Sequence, residues 1–121
     1  MTLTEKSSVA EIKAAWNAEL RATRPAARLA CDTGFLPKLT QIEILACNEQ
    51  GRLSGGELAY LENVTDITEA ALAQWFAWAR EMGATYIALD GHWDAVSKND
   101  EDDYEPLDVW ASVDIQLTAQ E

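Results

Sequence analysis

Apolar and polar side chains alternate most strictly near the end of the chain. In PLDVWASVDIQL, Leu107, Val109, Ala111, Val113, Ile115 and Leu117 take every second position, against Asp108, Trp110, Ser112, Asp114 and Gln116. That period belongs to a strand with one buried and one solvated face. TQIEILAC repeats it, with Ile42, Ile44 and Ala46 set against Gln41 and Glu43. NEQGRLSGG then supplies glycines for a long hairpin loop, and ELAYLENV reads as the returning strand. ATYIALD, residues 84–90, forms another strand.

Two segments carry helical spacing instead. Val9, Ile12, Trp16 and Leu20 share one face of a helix that Ser7 or Ser8 can cap and that Pro25 limits. In DITEAALAQWFAWAREMG, a stripe of Ile67, Ala71, Trp75, Trp78 and Met82 is widened by Leu72, Phe76 and Ala79. Asp66 and Glu69 have capping-box spacing, and Gly83 suits the helix end. Residues 26–38 read as a short helical turn or strand followed by a loop at Gly34 and Pro37. The predicted order is α-β-β-α-β-β over a single α+β domain, residues 1–121. Polar-out alternation predicts a four-stranded antiparallel sheet in two layers, with both helices on one face.

The register predicts what the open face displays. Gln41 and Glu43 come from one strand, Tyr60 and Glu62 from the next, Tyr86 and Asp90 from the third. Asp108, Trp110, Ser112, Asp114 and Gln116 come from the last. Carboxylates would alternate with Tyr60, Tyr86 and Trp110, the reverse in sign of an RNA-binding sheet, where aromatics lie among basic residues. The plain alternative is that these rings only cover the sheet.

Charge sharpens the picture. The 121 residues carry a formal net charge of −12 with 48% hydrophobic content, enough apolar material for a packed core. Residues 1–40 hold six basic side chains against four acids, a net of +2. Residues 41–121 hold three against seventeen, a net of −14. So large an excess of one sign costs stability by self-repulsion. Solubility alone is one explanation for it. Direct nucleic-acid binding through the acidic surface is disfavoured, because phosphate contacts need Lys and Arg. No apolar run is long enough to cross a membrane, and the first sixteen residues lack a secretory pattern. Two cysteines without CxxC spacing fit a cytoplasmic protein with reduced thiols.

The acids concentrate in LDGHWDAVSKNDEDDYEPLDVW, residues 89–110, read as a strand end, an acidic loop and a strand start. Asp90, His92 and Asp94 alternate along it, but His92 is the chain's sole histidine, and the segment does not follow the EF-hand pattern. No metal or cofactor is therefore expected. GxSxG, Walker A, dinucleotide-binding and HExxH motifs are all missing. A thiol dyad of Cys31 or Cys47 with His92, or a paired-carboxylate site, would be needed for an enzyme, and the expectation is that the chain is not one.

A binding protein fits better. Acids steer a basic partner, and rings anchor it through cation–π contact and burial. The expected partner surface comprises Asp90, Asp94, Asp100, Glu101, Asp102, Asp103, Tyr104, Glu105, Asp108, Trp110 and Asp114 with Tyr60, Glu62 and Tyr86. The expected partner is the basic surface of a nucleic-acid-binding or nuclease protein, with neither nucleic acid nor membrane bound directly. The expected role is an acidic inhibitor that partly mimics nucleic acid, such as a phage anti-CRISPR or anti-restriction protein. Alternatives are an immunity protein against a nuclease toxin, a scaffold or oligomerisation module, and a small carboxylate/His enzyme.

Overall fold

The computed structural model describes residues 3–118. Its elements are β1 (Leu3–Thr4), α1 (Val9–Ala30), β2 (Phe35–Asn48), β3 (Gly51–Leu61), a 3-10 turn (Val64–Asp66), α2 (Glu69–Glu81), β4 (Tyr86–Ser97) and β5 (Tyr104–Gln116). They form an α+β fold on one mixed sheet, ordered β1-β5-β4-β2-β3. The four predicted strands pair antiparallel, and the helices alternate with them as expected. The fifth, β1, was not foreseen: it pairs parallel to β5 over two residues, Leu3 with Ile115 and Thr4 with Gln116. So short a strand has no period to read. It is held from outside, since Glu5 ion-pairs with Arg80 of α2 and accepts hydrogen bonds from the Thr118 backbone and hydroxyl.

Both helices cover one face. Ile12 and Trp16 of α1 and Leu72, Trp75, Phe76 and Ala79 of α2 enclose Ile42, Ile44, Ala46, Ile87, Leu89, Ala111 and Ile115. Ser8 caps α1 in a reciprocal box with Glu11. Hydrogen bonding from the Ser8 backbone N–H, and then from its hydroxyl, holds the Glu11 carboxyl below its ordinary pKa. Thr68, rather than Asp66, caps α2 by accepting from the Ala71 amide at 3.1 Å. Gly83 follows α2 at φ 80°, a conformation open to glycine at little cost. Trp78, expected in the stripe, is 41% exposed, because α2 turns the Leu72–Trp75–Phe76–Ala79 side inward.

Helix α1 does not stop at Pro25; it runs on to Ala30 with the proline inside it. Proline there removes one helical hydrogen bond. Tertiary packing holds the extra turn: Ala27 is fully buried in a second cluster with Trp93, Ala95 and Leu107. Thr23, just before the proline, accepts a 2.8 Å bond from the Trp93 indole. The Arg24 guanidinium lies 5.6 Å from the Trp93 ring centroid. Gly34 lies in the turn between α1 and β2 as expected, at φ 95°, but Pro37 is not in a loop, because β2 already begins at Phe35 and pairs with β4 from Ser97 onward. The β2–β3 connection is also shorter than the glycines suggested. Asn48 pairs with Gly51 across a two-residue turn, and all of GRLSGG lies within β3.

Strand β4 is central and slips register against both neighbours at one level. Leu39 faces Trp93 and Ile42 faces Gly91, so β2 carries one extra residue. His92 faces Trp110 and Asp94 faces Pro106, so β5 carries two. Such bulges bend strands and increase their twist. On the helix side of this bend lies Gly91. A Cβ there would meet Leu39 Cδ2 at 2.7 Å and Trp16 Cη2 at 2.9 Å. Trp16, 1% exposed, thus sits directly on the β4 backbone. Gly91→Ala is expected to destabilise the protein by about 1–3 kcal/mol through overpacking, read as a lower urea midpoint with an unchanged slope.

Candidate functional site

The open face follows from the register. Strand β3 gives it Tyr60, and β2 gives Glu43, Leu45 and Cys47. Strand β4 gives Tyr86, Ala88, Asp90, His92 and Asp94, and β5 gives Trp110, Ser112, Asp114 and Gln116. Directly paired residues make rows across the sheet. One row runs Tyr60, Glu43, Asp90, Ser112; the next joins His92 to Trp110. Asp108 shares the Trp110 side by alternation and is exposed. The exposed rings are Trp110 at 55%, Tyr60 at 53% and Tyr104 at 58%. On the opposite side of the molecule, α1 exposes Arg21, Arg24 and Arg28. The arginines of α1 therefore lie on the layer opposite Glu43, Asp90, Asp108 and Asp114.

Not every expected residue joins this face. The acidic loop is shorter than the sequence suggested, because β4 continues through GHWDAVS to Ser97. Asp100, Glu101, Asp102 and Asp103 occupy only the exposed hairpin tip. That turn is tied by Asp102 N donating to Asp100 Oδ1 (3.1 Å) and Ser97 N to the Asp103 carbonyl (2.9 Å). Asp94 is 4% exposed, and its Oδ1 lies 3.1 Å from His92 Nδ1. It is thus buried beneath the face, where its carboxylate adjoins His92. Glu105 pairs with Ala95 and alternates onto the helix side, away from Tyr104. Glu62 follows the end of β3 and is exposed.

The bend in the sheet makes the face concave. A cavity of about 320 Å³ is lined by Gln41, Glu43, Asp90, His92, Asp94, Tyr104, Pro106 and Trp110. Its size lies at the lower end of the range for ligand pockets. His92 and Trp110 touch across the strands, with ring centroids 4.5 Å apart at 49°, which sets the tilt of the indole. Asp90 accepts a hydrogen bond from the Ser112 hydroxyl at 2.5 Å. The cavity was missed in sequence because the bulges that curve the sheet leave no residue-type signal. Gln41 is on the open face as its register predicts, whereas nothing in the sequence singles out Pro106.

Electrostatics on this face are unfavourable for the free protein. Glu43 and Asp90 stand directly opposite each other across β2 and β4, and like charges so placed destabilise a sheet. Partial desolvation, then repulsion from Asp90, raises the Asp114 carboxyl above its ordinary pKa. Burial is also the first cause raising the Cys47 thiol, followed by an opposing hydrogen bond from Tyr86 and the negative charge of Asp90 and Asp114. A raised thiol is a poor nucleophile. Cys47 is moreover paired with Tyr86, six positions from His92, roughly 20 Å at ~3.3 Å per residue. Cys31 packs into the cluster on the helix side. Neither thiol meets His92. Among the described residues, no three His, Cys, Asp or Glu side chains are grouped so as to hold a metal ion. No described helix is long and apolar enough to cross a membrane.

A carboxyl with a higher pKa folded than unfolded leaves stability intact below the unfolded value and removes it as pH rises through the folded value. Asp114→Asn is therefore expected to raise the melting temperature at pH 7. The gain should disappear below the ordinary value of 3.8, where the wild-type carboxyl is itself protonated. An equal gain at pH 7 and pH 3 would assign the effect to packing and not to charge.

Comparison with known proteins gives no match: no family model fits the chain, and no curated protein and no solved structure is significantly similar to it.

Proposed function

We propose that the chain is an acidic inhibitor, covering the basic nucleic-acid-binding or catalytic surface of another protein and partly mimicking nucleic acid. Anti-CRISPR and anti-restriction proteins of phages are the role that this profile suits best. The observation that carries the reading is the open face itself. It sets Glu43, Asp90, Asp108 and Asp114 among the exposed rings of Tyr60, Tyr104 and Trp110, while the exposed arginines of α1 lie on the other layer.

Each part has a separate kinetic role. The acids at the hairpin tip, Asp100, Glu101, Asp102 and Asp103, extend the negative field beyond the sheet and accelerate encounter with a cationic surface. Rings at the centre exclude water and slow dissociation. The Glu43–Asp90 and Asp90–Asp114 repulsions, which cost the free protein stability, are relieved when a partner's cations arrive. Affinity then draws on a penalty already present in the unbound fold.

Immobilised protein exposed to a bacterial lysate at low salt should retain basic nucleic-acid-binding proteins. A salt gradient should release them, and duplex DNA should compete with their retention. Glu43→Lys/Asp108→Lys/Asp114→Lys should fold normally and weaken capture at least about tenfold, mostly through faster dissociation. Reversing Asp100, Asp102 and Asp103 should instead slow association. Trp110→Ala should cost about 2 kcal/mol or more, the scale of an interface anchor. Capture that ignores both salt and the triple reversal would refute the reading.

A further inference from the structure

We infer that the cavity at the bend of β4 is a receptor for a single arginine side chain of the partner. The inference rests on the reading of the open face as a partner surface and names the chemistry at its centre. Three features of the cavity specify a guanidinium. First, it is concave and walled by the exposed rings of Tyr104 and Trp110, with Pro106 between them in the lining. A planar cation stacks on such rings, and the His92 contact fixes the tilt of the Trp110 indole. Second, Glu43 and Asp90 face each other directly across two strands within the same lining. Opposed carboxylates repel when empty-handed and can each accept from one edge of a forked donor. Third, two carboxylates of the lining are already paired: buried Asp94 is held by His92, and half-buried Asp90 by Ser112. The carboxylates are thus oriented before any ligand enters.

Arginine fits these features better than lysine. Its guanidinium is flat, presents donors along two edges and stacks on aromatic faces, whereas an ammonium is a strongly hydrated point charge. The basic side chains of the open face are placed elsewhere. Arg52 pairs with Glu57 at 3.4 Å near the far end of β3, and Lys38 stands opposite Asp94 outside the lining. Glu43 and Asp90 of the lining face only each other, Tyr60 and Ser112 across the strands, so a cation from another molecule can meet their charge.

The test uses the full chain and blocked amino acids, N-acetyl-arginine amide against its lysine and citrulline counterparts, followed by two-dimensional NMR. Arginine should shift the Trp110 indole N–H and the amides of Asp90, His92 and Tyr104 in a saturable way, with a Kd of about 1–10 mM, the range open to so small a ligand. Citrulline, shaped alike but uncharged, should bind at least about tenfold more weakly, and lysine several-fold more weakly. Asp90→Asn should reduce arginine affinity about fivefold or more with the far-UV spectrum unchanged, while Asp102→Asn leaves it unaltered. Equal shifts from arginine and lysine spread over residues 100–103 would overturn the inference, as would citrulline binding like arginine. Salt-sensitive self-association in sedimentation, abolished by Arg21→Gln/Arg28→Gln, would also overturn it, because the occupant would then be a second copy. Failure here is separable from failure of the inhibitor reading. Salt-sensitive capture of basic proteins that persists undiminished in Asp90→Asn would overturn the arginine receptor and leave the inhibitor standing. Saturable, arginine-selective binding in a chain that captures no basic protein would support the receptor and remove the inhibitor.

Discussion

The seat of Trp16 on the bare backbone of Gly91 is the contact from which the rest of the architecture follows. An indole can lie that close to a strand only where no Cβ intervenes. Leu39 fills the adjoining space, and from Leu39 to Ile42 strand β2 accommodates its extra residue. The chain is thereby bent on the helix side by packing and on the open side by bulges, at one level of β4. A flat sheet would present His92, Trp110 and the neighbouring carboxylates as an even surface. The bend gathers them into a hollow. Core packing and candidate site are thus two sides of one backbone distortion, and a substitution at Gly91 touches both.

The second constraint is electrostatic. Acids opposed across strands and a carboxyl with a raised pKa are signs of a fold that tolerates repulsion on one layer. It tolerates this because most of the stabilising burial lies on the other layer, where Trp16, Ile44, Ile87, Leu89 and Ile115 are almost fully enclosed, while the open face buries only the small cluster of Leu45, Cys47 and Ala88. The division leaves the open face free to carry charge without weakening the core directly. It also separates the exposed Arg21, Arg24 and Arg28 from Glu43, Asp90 and Asp114 by the thickness of the sheet, so these three arginines do not neutralise those acids.

Much of this was legible in the residues. The alternation from Leu107 to Leu117 and from Gln41 to Ala46 placed each of those side chains on its observed face, and with them Glu43, Trp110 and Asp114. Trp75 and the Gly83 stop were equally readable, because helical period and glycine chemistry are local. What failed was non-local. Gly91 and His92 looked like loop because glycine weakens a strand, yet Trp16, seventy-five positions away, requires a glycine there. Pro25 looked like a helix end because its own backbone chemistry says so; Ala27 and Trp93 override it. Bulges left no trace in residue type, so the cavity and the burial of Asp94 could not be read. The two-residue β1 offers too little pattern to detect.

The acids of β5 also have a role that needs no partner, and it bears on how their charge is interpreted. Among the described residues, strand β1 pairs with β5 only at Ile115 and Gln116, and none pairs with the outer side of the span from Tyr104 to Asp114. An open edge invites pairing with another chain, and charge, proline and bulges all discourage it. Asp108, Asp114, Pro106 and the two-residue bulge supply each of these devices. Guarding an edge, however, requires charge without regard to sign; lysine serves as well as aspartate. It also gives no reason to expose Trp110 between two acids, since a large ring on an open edge adds to the hazard. Edge protection accounts for charge at Asp108 and Asp114. It does not account for the shared sign of Glu43, Asp90 and Asp114, or for the rings among them, and those are the features that a cationic partner would use.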